Sequence, residues 1–470
     1  MRVRACFLWS PWEAPEPQFR TMIIPTEFAG KRVAVLGLAR SGMAAAEVLK
    51  RLGAHVSLYD KKPTTELAGA LETARLLGLT VAGDGAPIDL EGLDYLVTSP
   101  GVPRNAPSLV AAVQAGIPVL SEIEAAYRIA RAPILAVTGT NGKTTTAVLT
   151  AEMLRAGGVQ TYVAGNVAAG EIALPLIKAA LDADSGCAIV AEISSFQLEW
   201  ISTFRPQVAA LLNITEDHGD RQTWDEYVAA KWNIFAYQTR QDDAVISRAL
   251  NADRRRSSLK ANVTVFDDPV AQASLLSDAE LDQTLLPGNH NRENILASAA
   301  MAKAFGIEHE AIVRAVSSFT GVVHRLEYVD EIDGVRYINN SMCTNVAAFQ
   351  RSLEALPGSK VVIMGGVFKG GDKSGLVEAV LQNDVSELIL IGRSAPDLDA
   401  AMRGAGYGKT HLAGTLQDAV SLASSLAESG ETVLLAPACA SFDMFKDFED
   451  RGDQFKDAVI TIKGRKGESR

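Results

Sequence analysis

The segment Ile134-Leu-Ala-Val-Thr138, followed by Gly139-Thr-Asn-Gly-Lys-Thr-Thr145, decides how the middle of this sequence folds. A short apolar run is typical of a buried strand, and the residues after Lys143 have the composition of a helix. Glycines at such a turn let successive backbone N–H groups converge on phosphate oxygens, and the helix N-terminus adds a positive partial charge. We therefore predict an ATP-binding phosphate loop made of Gly139, Thr140, Asn141, Gly142, Lys143, Thr144 and Thr145.

The loop carries the two side chains that a nucleotide site requires. Lys143 would neutralise the terminal phosphates, and the Thr144 hydroxyl would reach Mg²⁺. The complete G-x-x-x-x-G-K-[ST] pattern is absent, because Val137 stands where its first glycine would be. A tight turn with a surface lysine is the alternative, and the surrounding strand and helix favour ATP binding.

Two candidate metal ligands follow further predicted strands. Glu192 closes the apolar run at 188–191, and His218 comes shortly after the run that ends at Asn213. Ligands gather at the carboxyl ends of strands in an open parallel sheet, and a carboxylate beside a triphosphate suits a metal ion. The alternatives are a solvated glutamate that ends a strand and a structural histidine.

Lys231 lies in an unusual position for a lysine. Thr223-Trp-Asp-Glu226 has the form of a capping box, which predicts a helix over 224–235. At about 100° per residue, one apolar stripe of this helix would contain Trp224, Val228, Lys231 and Phe235. A lysine on that stripe either extends its amine to solvent or belongs to a functional site.

The pattern along the chain predicts an α/β protein. Apolar β-branched runs alternate with Ala- and Leu-rich stretches, as in βαβ units with mostly parallel sheets. A length of 470 residues favours about three domains. We predict a loose extension over 1–25, with Met1 or Met22 as the start, and domains over 26–131, 132–321 and 322–470.

The first predicted domain opens like a dinucleotide-binding unit. The strand Arg32-Val-Ala-Val-Leu36 leads into Gly37-Leu-Ala-Arg-Ser-Gly42, and the next strand ends at Asp60. The glycine spacing is G-x-x-x-x-G rather than G-x-G-x-x-G, so this signal is weak. An NAD(P)-dependent oxidoreductase is the alternative function that it supports, and that function leaves the phosphate loop unexplained.

The composition excludes several classes of protein. Hydrophobic residues make up 47% and charged residues 21%, as in an ordinary folded enzyme. The net charge of −11 makes nucleic acid and anionic membranes poor partners. No apolar run reaches the ~18 residues of a membrane span. Cysteines without paired spacing indicate neither disulfides nor a zinc site and fit the cytoplasm, namely Cys6, Cys187, Cys343 and Cys439.

Several segments together resemble the Mur ligase superfamily. They are 138–145, Glu192-Ile-Ser-Ser-Phe-Gln-Leu-Glu199, Asn213-Ile-Thr-Glu-Asp-His-Gly-Asp220, Ala229-Ala-Lys231, Gly288-Asn-His-Asn291, Val323-His-Arg-Leu-Glu327 and 436–453, with Ser99-Pro-Gly101 and Ser121-Glu-Ile-Glu124 in the first domain. The resemblance extends in order over about residues 31–460. It implies a Rossmann-like UDP-binding domain, a central P-loop-type ATPase domain and a Rossmann-like C-terminal domain.

The activity implied by the resemblance belongs to cytoplasmic peptidoglycan precursor synthesis. ATP and two Mg²⁺ ions would support the joining of D-glutamate to UDP-N-acetylmuramoyl-L-alanine through an acyl phosphate, with release of ADP and phosphate. L-Glutamate or another amino acid is an open alternative. A ligase of the same fold that acts on folate or adds a later peptidoglycan residue is the nearest rival, and Ser99-Pro-Gly101 in the first domain argues against folate. We expect a monomer.

The resemblance also implies a role for each matching residue. The catalytic residues would be Lys143, Glu192, His218 and Lys231, and the metal ligands would be Thr144, Glu192, His218 and Lys231 as a carbamate. Beyond the phosphate loop, ATP would contact Asn291 at the adenine, Arg325 at the γ-phosphate and Asn340 at the ribose. The UDP substrate would contact Arg40, Ser41, Asp60, Ser99, Gly101, Asn166 and Gln197. The amino acid would contact Thr344, Lys369, Ser441 and Phe448.

The third domain departs from the family pattern. Asn340 stands where an aspartate is usual, and Met342 stands where a lysine is usual. Val367 and Phe368 occupy a loop that often carries a carboxylate. We therefore expect this domain to close on the nucleotide more weakly or through different residues.

Overall fold

A computed structural model describes residues 27–83, 85–166, 174–215, 223–286, 288–368, 370 and 373–468. Three predictions from the sequence concern residues outside this part, namely the extension over 1–25, His218 and Lys369. Within the described part, the chain forms three sheets with helices around them. No helix in this part combines the length and apolarity required to cross a bilayer.

The first sheet has the strand order β3-β2-β1-β4-β5, with parallel pairs. Its strands are β1 (Arg32–Leu36), β2 (His55–Tyr59), β3 (Val81–Ala82), β4 (Tyr95–Thr98) and β5 (Val119–Ser121). Its helices are α1 (Arg40–Arg51), α2 (Ala68–Leu76), α3 (Pro107–Gln114) and α4 (Glu122–Ile129). This order is that of a doubly wound sheet, whose ligands bind beyond the strand ends nearest β1 and β4.

The central sheet has the order β11-β10-β9-β6-β8-β7, again with parallel pairs. Its strands are β6 (Ile134–Thr138), β7 (Gln160–Gly165), β8 (Cys187–Glu192), β9 (Val208–Leu211), β10 (Asp243–Ile246) and β11 (Asn262–Val265). Its helices are α5 (Lys143–Ala156), α6 (Leu176–Asp182), α7 (Trp224–Trp232), α8 (Arg248–Asn251), α9 (Pro269–Leu275), α10 (Asp278–Leu281), α11 (Asn289–Phe305) and α12 (His309–Ser318). Strands β6, β8 and β9 are neighbours, so the segments that follow them meet at one edge.

The third sheet has the order β12-β13-β17-β14-β15-β16. Its strands are β12 (Glu327–Ile332), β13 (Val335–Asn339), β14 (Lys360–Gly365), β15 (Val385–Ile391), β16 (Thr410–Leu412) and β17 (Thr432–Leu435). Its helices are α13 (Val346–Ala355), α14 (Ser374–Gln382), α15 (Ala395–Gly404), α16 (Leu416–Leu426) and α17 (Phe448–Glu468). Strand β12 is antiparallel to β13. The sequence predicted mostly parallel sheets and did not indicate this antiparallel pair. Asp333 and Gly334 both have positive φ and form the tight turn between them.

The first and central units share buried contacts. One hydrophobic cluster includes Ile123 of α4 and Ile177 of α6. The fully buried Glu124 carboxylate accepts hydrogen bonds from the backbone amides of residues 202–204 at 2.9–3.0 Å. Glu122 accepts from the Ile177 amide at 2.8 Å, and burial raises the pKa of Glu122 to about 7. These contacts fix α4 against the central unit.

Candidate active site

The phosphate loop turns sharply between β6 and α5. Gly142, immediately before α5, has a φ of +82°, and a side chain there would collide with Asn294 of α11. Only glycine tolerates both conditions. Asn213, beyond β9, accepts from the Asn141 amide at 2.9 Å through its side chain and from the Thr140 amide at 3.0 Å through its carbonyl. The loop is therefore held in shape by the neighbouring strand end.

The Thr144 hydroxyl connects all the parts of the site. It donates to Glu192 Oε2 at 2.7 Å and accepts from an Arg325 guanidinium N–H at 3.0 Å. Thr144 lies in the first turn of α5, Glu192 ends β8, and Arg325 precedes β12. The central sheet edge and the third domain therefore meet at one buried hydroxyl, which is 4% exposed.

The turn that carries Arg325 has an uncommon backbone. His324 and Leu326 on either side of it have φ of +62° and +46°. Non-glycine residues adopt this region rarely and are held there by their surroundings. Here the Glu327 carboxylate accepts from the His324 amide at 2.9 Å, and the Asn340 side chain accepts from the Leu326 amide at 3.2 Å. The turn thus directs Arg325 towards Thr144.

The electrostatics centre on Glu192, which is 3% exposed. Burial raises the pKa of its carboxyl group, while the Thr144 hydrogen bond and the charges of Lys143, Arg325 and Lys231 act in the opposite direction. A carboxylate can therefore be kept ionised here only with help from surrounding cations. The site combines a buried negative charge with three positive charges around it.

Lys231 does not extend to solvent. Its side chain is buried, its Nζ donates to the Gly139 carbonyl at 2.7 Å, and it lies 4.6 Å from the Tyr227 ring centroid. The predicted capping box between Thr223 and Glu226 is confirmed. The predicted apolar stripe is wrong at Trp224, which is 48% exposed. The amine therefore lies under the phosphate loop.

Two cavities meet at this loop. The larger, of about 590 Å³, lies between the central and third domains and is lined by Thr140, Asn141, Gly142, Thr145, Asn213, Thr215, Leu286, His290, Asn291, Glu293, Asn294, Gly321, Val322, Arg325, Leu326, Arg351, Glu354 and Ala355. The smaller, of about 290 Å³, lies between the first and central domains and is lined by Pro100, Gly101, Gly139, Thr140, Lys143, Asn166, Ser194, Ser195, Phe196, Tyr227 and Lys231. Both volumes are those of small-molecule sites or slightly smaller.

Comparisons with known proteins identify the family. Three family models match in order: a Mur ligase MurD-like N-terminal domain over 31–121, a Mur ligase middle domain over 137–302 and a Mur ligase glutamate ligase domain over 324–439. A UDP-N-acetylmuramoylalanine–D-glutamate ligase of Pelotomaculum thermopropionicum is 42% identical over 93% of this chain and 99% of its own. The chain belongs to the Mur ligase family.

Further Mur ligases agree with this assignment. A protein of the same name from Bacillus cereus is 40% identical over 92% of this chain and 98% of its own. The structure of the UDP-N-acetylmuramate–alanine ligase of Thermotoga maritima has a TM-score of 0.50 and 16% identity, covering 92% of this chain and 99% of that one. That likeness shows a shared fold. Membership of the family leaves the oxidoreductase alternative without support.

In the first domain of this Mur ligase, two predicted residues shape the loop after β1. The Ser99 hydroxyl donates to the Gly37 carbonyl at 2.6 Å. The Asp60 carboxylate accepts from the backbone amides of Leu38 at 2.7 Å and Lys62 at 2.9 Å. Arg40 opens helix α1 directly after this loop. Asp60 and Ser99 are therefore already engaged with the backbone.

The predicted residues beyond β7 and β8 lie around the smaller cavity. Asn166 lines that cavity and is exposed. Gln197 is buried and accepts from the amide and the hydroxyl of Ser194 at 2.9 Å each. Gln197 thus holds the Ser194 segment that lines the cavity, and Gly101 approaches from the first domain.

In the third domain, Asn340 does not line the larger cavity. It is buried, and its side chain accepts from Leu326 and donates to the Ser352 hydroxyl at 2.6 Å. The third-domain wall is instead formed by α13, with Arg351 and Glu354. The sequence offered no signal for either residue beyond their position on a helix after the 339–345 segment.

The third-domain residues that were predicted to bind the amino-acid substrate lie near a buried arginine. Ser441 is 2% exposed, while Thr344 and Phe448 are half-buried. Arg451 donates to the Ser341 carbonyl at 2.8 Å and to the Cys439 carbonyl at 3.1 Å. It therefore ties together the two loops that carry Thr344 and Ser441. The sequence did not predict a role for this arginine.

Proposed function

We propose that this Mur ligase joins D-glutamate to UDP-N-acetylmuramoyl-L-alanine at the expense of ATP. The observation that carries the proposal is the Thr144 hydroxyl held between Glu192 and Arg325 at the phosphate loop. The relatives that are 42% and 40% identical over nearly the whole chain bear the name of this reaction. The monomeric state stays a prediction.

The reaction forms and breaks two bonds in sequence. A carboxylate oxygen of the UDP substrate attacks the γ-phosphorus, and the bond to the bridging oxygen of ADP breaks. The glutamate amine then attacks the acyl carbon and loses a proton, and the carbon–oxygen bond to phosphate breaks. The smaller cavity suits the carboxylate, because Lys143 lines it. Lys143 and Arg325 would neutralise the transferring phosphoryl group.

The buried oxygens of Thr144 and Glu192 fit a magnesium ion. Mg²⁺ prefers hard oxygen ligands, and these two atoms lie 2.7 Å apart beside the phosphate loop. When bound, Mg²⁺ would supply charge neutralisation between the phosphate oxygens. Among the described residues, no group of three or more His, Cys, Asp or Glu could hold an ion without the substrate.

We also propose a second ion at His218 and a carbamylated Lys231. The Lys231 amine is buried next to the loop that must bind a polyanion together with cations. A carbamate would convert this cation into a carboxylate while keeping one N–H for the Gly139 carbonyl. The modification would give this buried side chain a carboxylate that can bind a metal ion.

The remaining roles are proposals of the same kind. Asn291, buried in the larger cavity, would contact adenine. The pyrophosphate of the UDP substrate would bind Arg40 and Ser41 at the start of α1, near the loop shaped by Asp60 and Ser99. Gly101 would lie near the UDP, and muramoyl contacts would come from Asn166 and Gln197. Glutamate contacts would come from Thr344, Lys369, Ser441 and Phe448. Asn340 would reach a ribose only after leaving its present partners.

Ser441→Ala should raise the glutamate KM by about ten- to a hundredfold, because a hydrogen bond to a charged group contributes about 1.5–3 kcal/mol. The KM for ATP should stay close to that of the wild type. Steady-state kinetics with each substrate varied in turn measure both values. Ser425→Ala on the surface of α16 is the matched control. Equal effects on glutamate and ATP would place Ser441 outside the glutamate site.

Met342→Lys should give a folded enzyme whose turnover stays within about tenfold of the wild type, a barrier change of about 1.4 kcal/mol. Met342 is half-buried, and its backbone amide donates to the His324 carbonyl, a bond that the substitution keeps. Thermal unfolding, ATP affinity and turnover of the variant decide this. A variant that cannot fold or bind ATP would show that this loop is packed differently from the family.

Omission of one substrate at a time tests the proposed function. Phosphate release should require ATP, UDP-N-acetylmuramoyl-L-alanine and D-glutamate together. D- and L-glutamate should be assayed side by side, because Val367 and Phe368 alter the neighbouring loop. A preference for L-glutamate or for a diamino acid would contradict the substrate and leave the ligase chemistry in place.

A further inference from the structure

The third-domain wall of the larger cavity is one face of α13. Arg351, Glu354 and Ala355 line the cavity from this helix. Residues three and four positions apart lie on the same side of a helix. The face therefore presents a cation, a carboxylate and a methyl group in sequence along the cavity.

One end of this face lies near the start of helix α11. A side chain on Gly288 would meet the Ala355 carbonyl at 3.5 Å, and Gly288 precedes helix α11, whose Asn291 also lines the cavity. Ala355 thus marks the end near Asn291. Arg351 lies about one turn earlier in α13 and lines the same cavity.

The same cavity is lined by Arg325 and by Thr140, Asn141 and Gly142 of the phosphate loop. Part of the Arg325 side chain is exposed, but the surrounding protein desolvates its guanidinium and lowers its pKa. Arg351 lines the same cavity as Arg325. The charge of Glu192 opposes the lowering of the Arg325 pKa, and the positive charge of Arg351 adds to it. Arg325 itself donates to Thr144. Two positively charged side chains, Arg325 and Arg351, therefore line the cavity that contains the phosphate loop.

The Arg351 side chain is available to a ligand. It is exposed, and within the described ranges no hydrogen bond or ion pair engages its guanidinium. The carboxylates Glu293 and Glu354 line the same cavity without pairing with it. By contrast, Arg451 is fully engaged with backbone carbonyls. Two cations in one cavity, one of them unpaired among the described residues, are an arrangement that a bound anion stabilises.

We propose that Arg351 binds the terminal phosphates of ATP and thereby draws the third domain onto the phosphate loop. The inference rests on the nucleotide site of the proposed function. Arginine presents a planar fork of donors that matches phosphate oxygens. Arg351 and Arg325 would be two positively charged residues of the third domain that contact the phosphates. The central domain would hold the adenine end of the nucleotide.

Binding of ATP, ADP and AMP to the full chain, measured by calorimetry with Mg²⁺ present, tests this role. Arg351→Ala should weaken ATP and ADP binding by about tenfold, because it removes a charge-assisted hydrogen bond at a partly solvated site. AMP, which lacks the terminal phosphates, should bind within about twofold of the wild type, and Arg351→Lys should restore part of the loss. Gln350→Ala on the same helix is the matched control and should not weaken ATP binding, because Gln350 is exposed and does not line the cavity.

Kinetics separate this binding role from a general structural defect. Arg351→Ala should raise the KM for ATP by about tenfold and leave kcat at saturating ATP within about threefold. Added salt should weaken ATP binding more in the wild type than in the alanine variant. Equal ATP affinity in wild type and variant, or an equal loss for AMP, would overturn the assignment. A wild-type chain that binds no ATP would instead overturn the nucleotide site itself.

Discussion

Lys231→Ala should lower turnover by about a thousandfold while the protein stays folded, a loss of the size found when a group that stabilises transition-state charge is removed. The amine is buried beneath the phosphate loop and contributes to the charge balance of Glu192. A carbamate at this position would be lost with it. Phosphate release under saturating substrates measures the effect, and thermal unfolding reports the fold.

Chemical rescue distinguishes a carbamate from a simple ammonium group. A short carboxylic acid added to the alanine variant should restore part of the rate, and labelled bicarbonate should give a carbamate signal in the wild type that the variant lacks. Lys178→Ala is the control, because Lys178 forms a surface ion pair with Glu47 at 2.7 Å. Near-normal activity in Lys231→Ala would contradict the metal-ligand role.

Glu192→Gln should lower turnover by about a hundredfold or more, since the amide keeps the shape and removes the negative charge that would hold Mg²⁺. The glutamine can still accept from the Thr144 hydroxyl, so the local geometry should persist. The remaining activity should require more Mg²⁺ than the wild type does. Titration of activity with Mg²⁺ in both proteins measures this.

Glu192→Gln should lower turnover but should not lower the unfolding temperature. Burial raises the pKa of Glu192, so its stabilising contribution is present below the unfolded-state pKa and is lost as the pH rises through the folded-state value. Without Mg²⁺ at about pH 8, Glu192→Gln should therefore unfold at the same or a higher temperature than the wild type. The difference should vanish at about pH 4.

The matched control for Glu192→Gln is Glu152→Gln on the exposed face of α5, where Glu152 pairs with Arg155. It should leave both turnover and Mg²⁺ dependence unchanged. If Glu192→Gln retained full activity, or if it unfolded at a markedly lower temperature at neutral pH, Glu192 would be a structural rather than a metal-binding residue.

Local patterns predicted the parallel core of this fold closely. The apolar runs at Arg32–Leu36 and Ile134–Thr138 form β1 and β6 with the predicted bounds. Strand β12 was missed because Glu327-Tyr-Val-Asp-Glu-Ile332 has no buried-strand composition and lies at a sheet edge. Its hairpin turn, Asp333-Gly334, was the signal that could have found it.

The sequence predicted only those contacts of the site whose residues belong to local motifs. The contact between Thr144 and Glu192 follows from two neighbouring parallel strands. The helix stripe offered a functional site for Lys231 as one of two alternatives, and the structure buries the side chain. Arg325 could be placed at Thr144 only by the fold of the third domain. Arg351 and Arg451 carry no local pattern, because their partners are distant in sequence. Asn340 is held inside the third domain by contacts that no spacing reveals.

Isotope transfer tests most directly whether this site activates a carboxylate with ATP. UDP-N-acetylmuramoyl-L-alanine with its terminal carboxylate labelled with heavy oxygen should be incubated with ATP, Mg²⁺ and D-glutamate. We expect one labelled oxygen to appear in the inorganic phosphate for each amide bond formed. Amide formation that releases the expelled labelled oxygen into water and leaves the inorganic phosphate unlabelled would contradict an acyl phosphate at the Thr144–Glu192–Arg325 site.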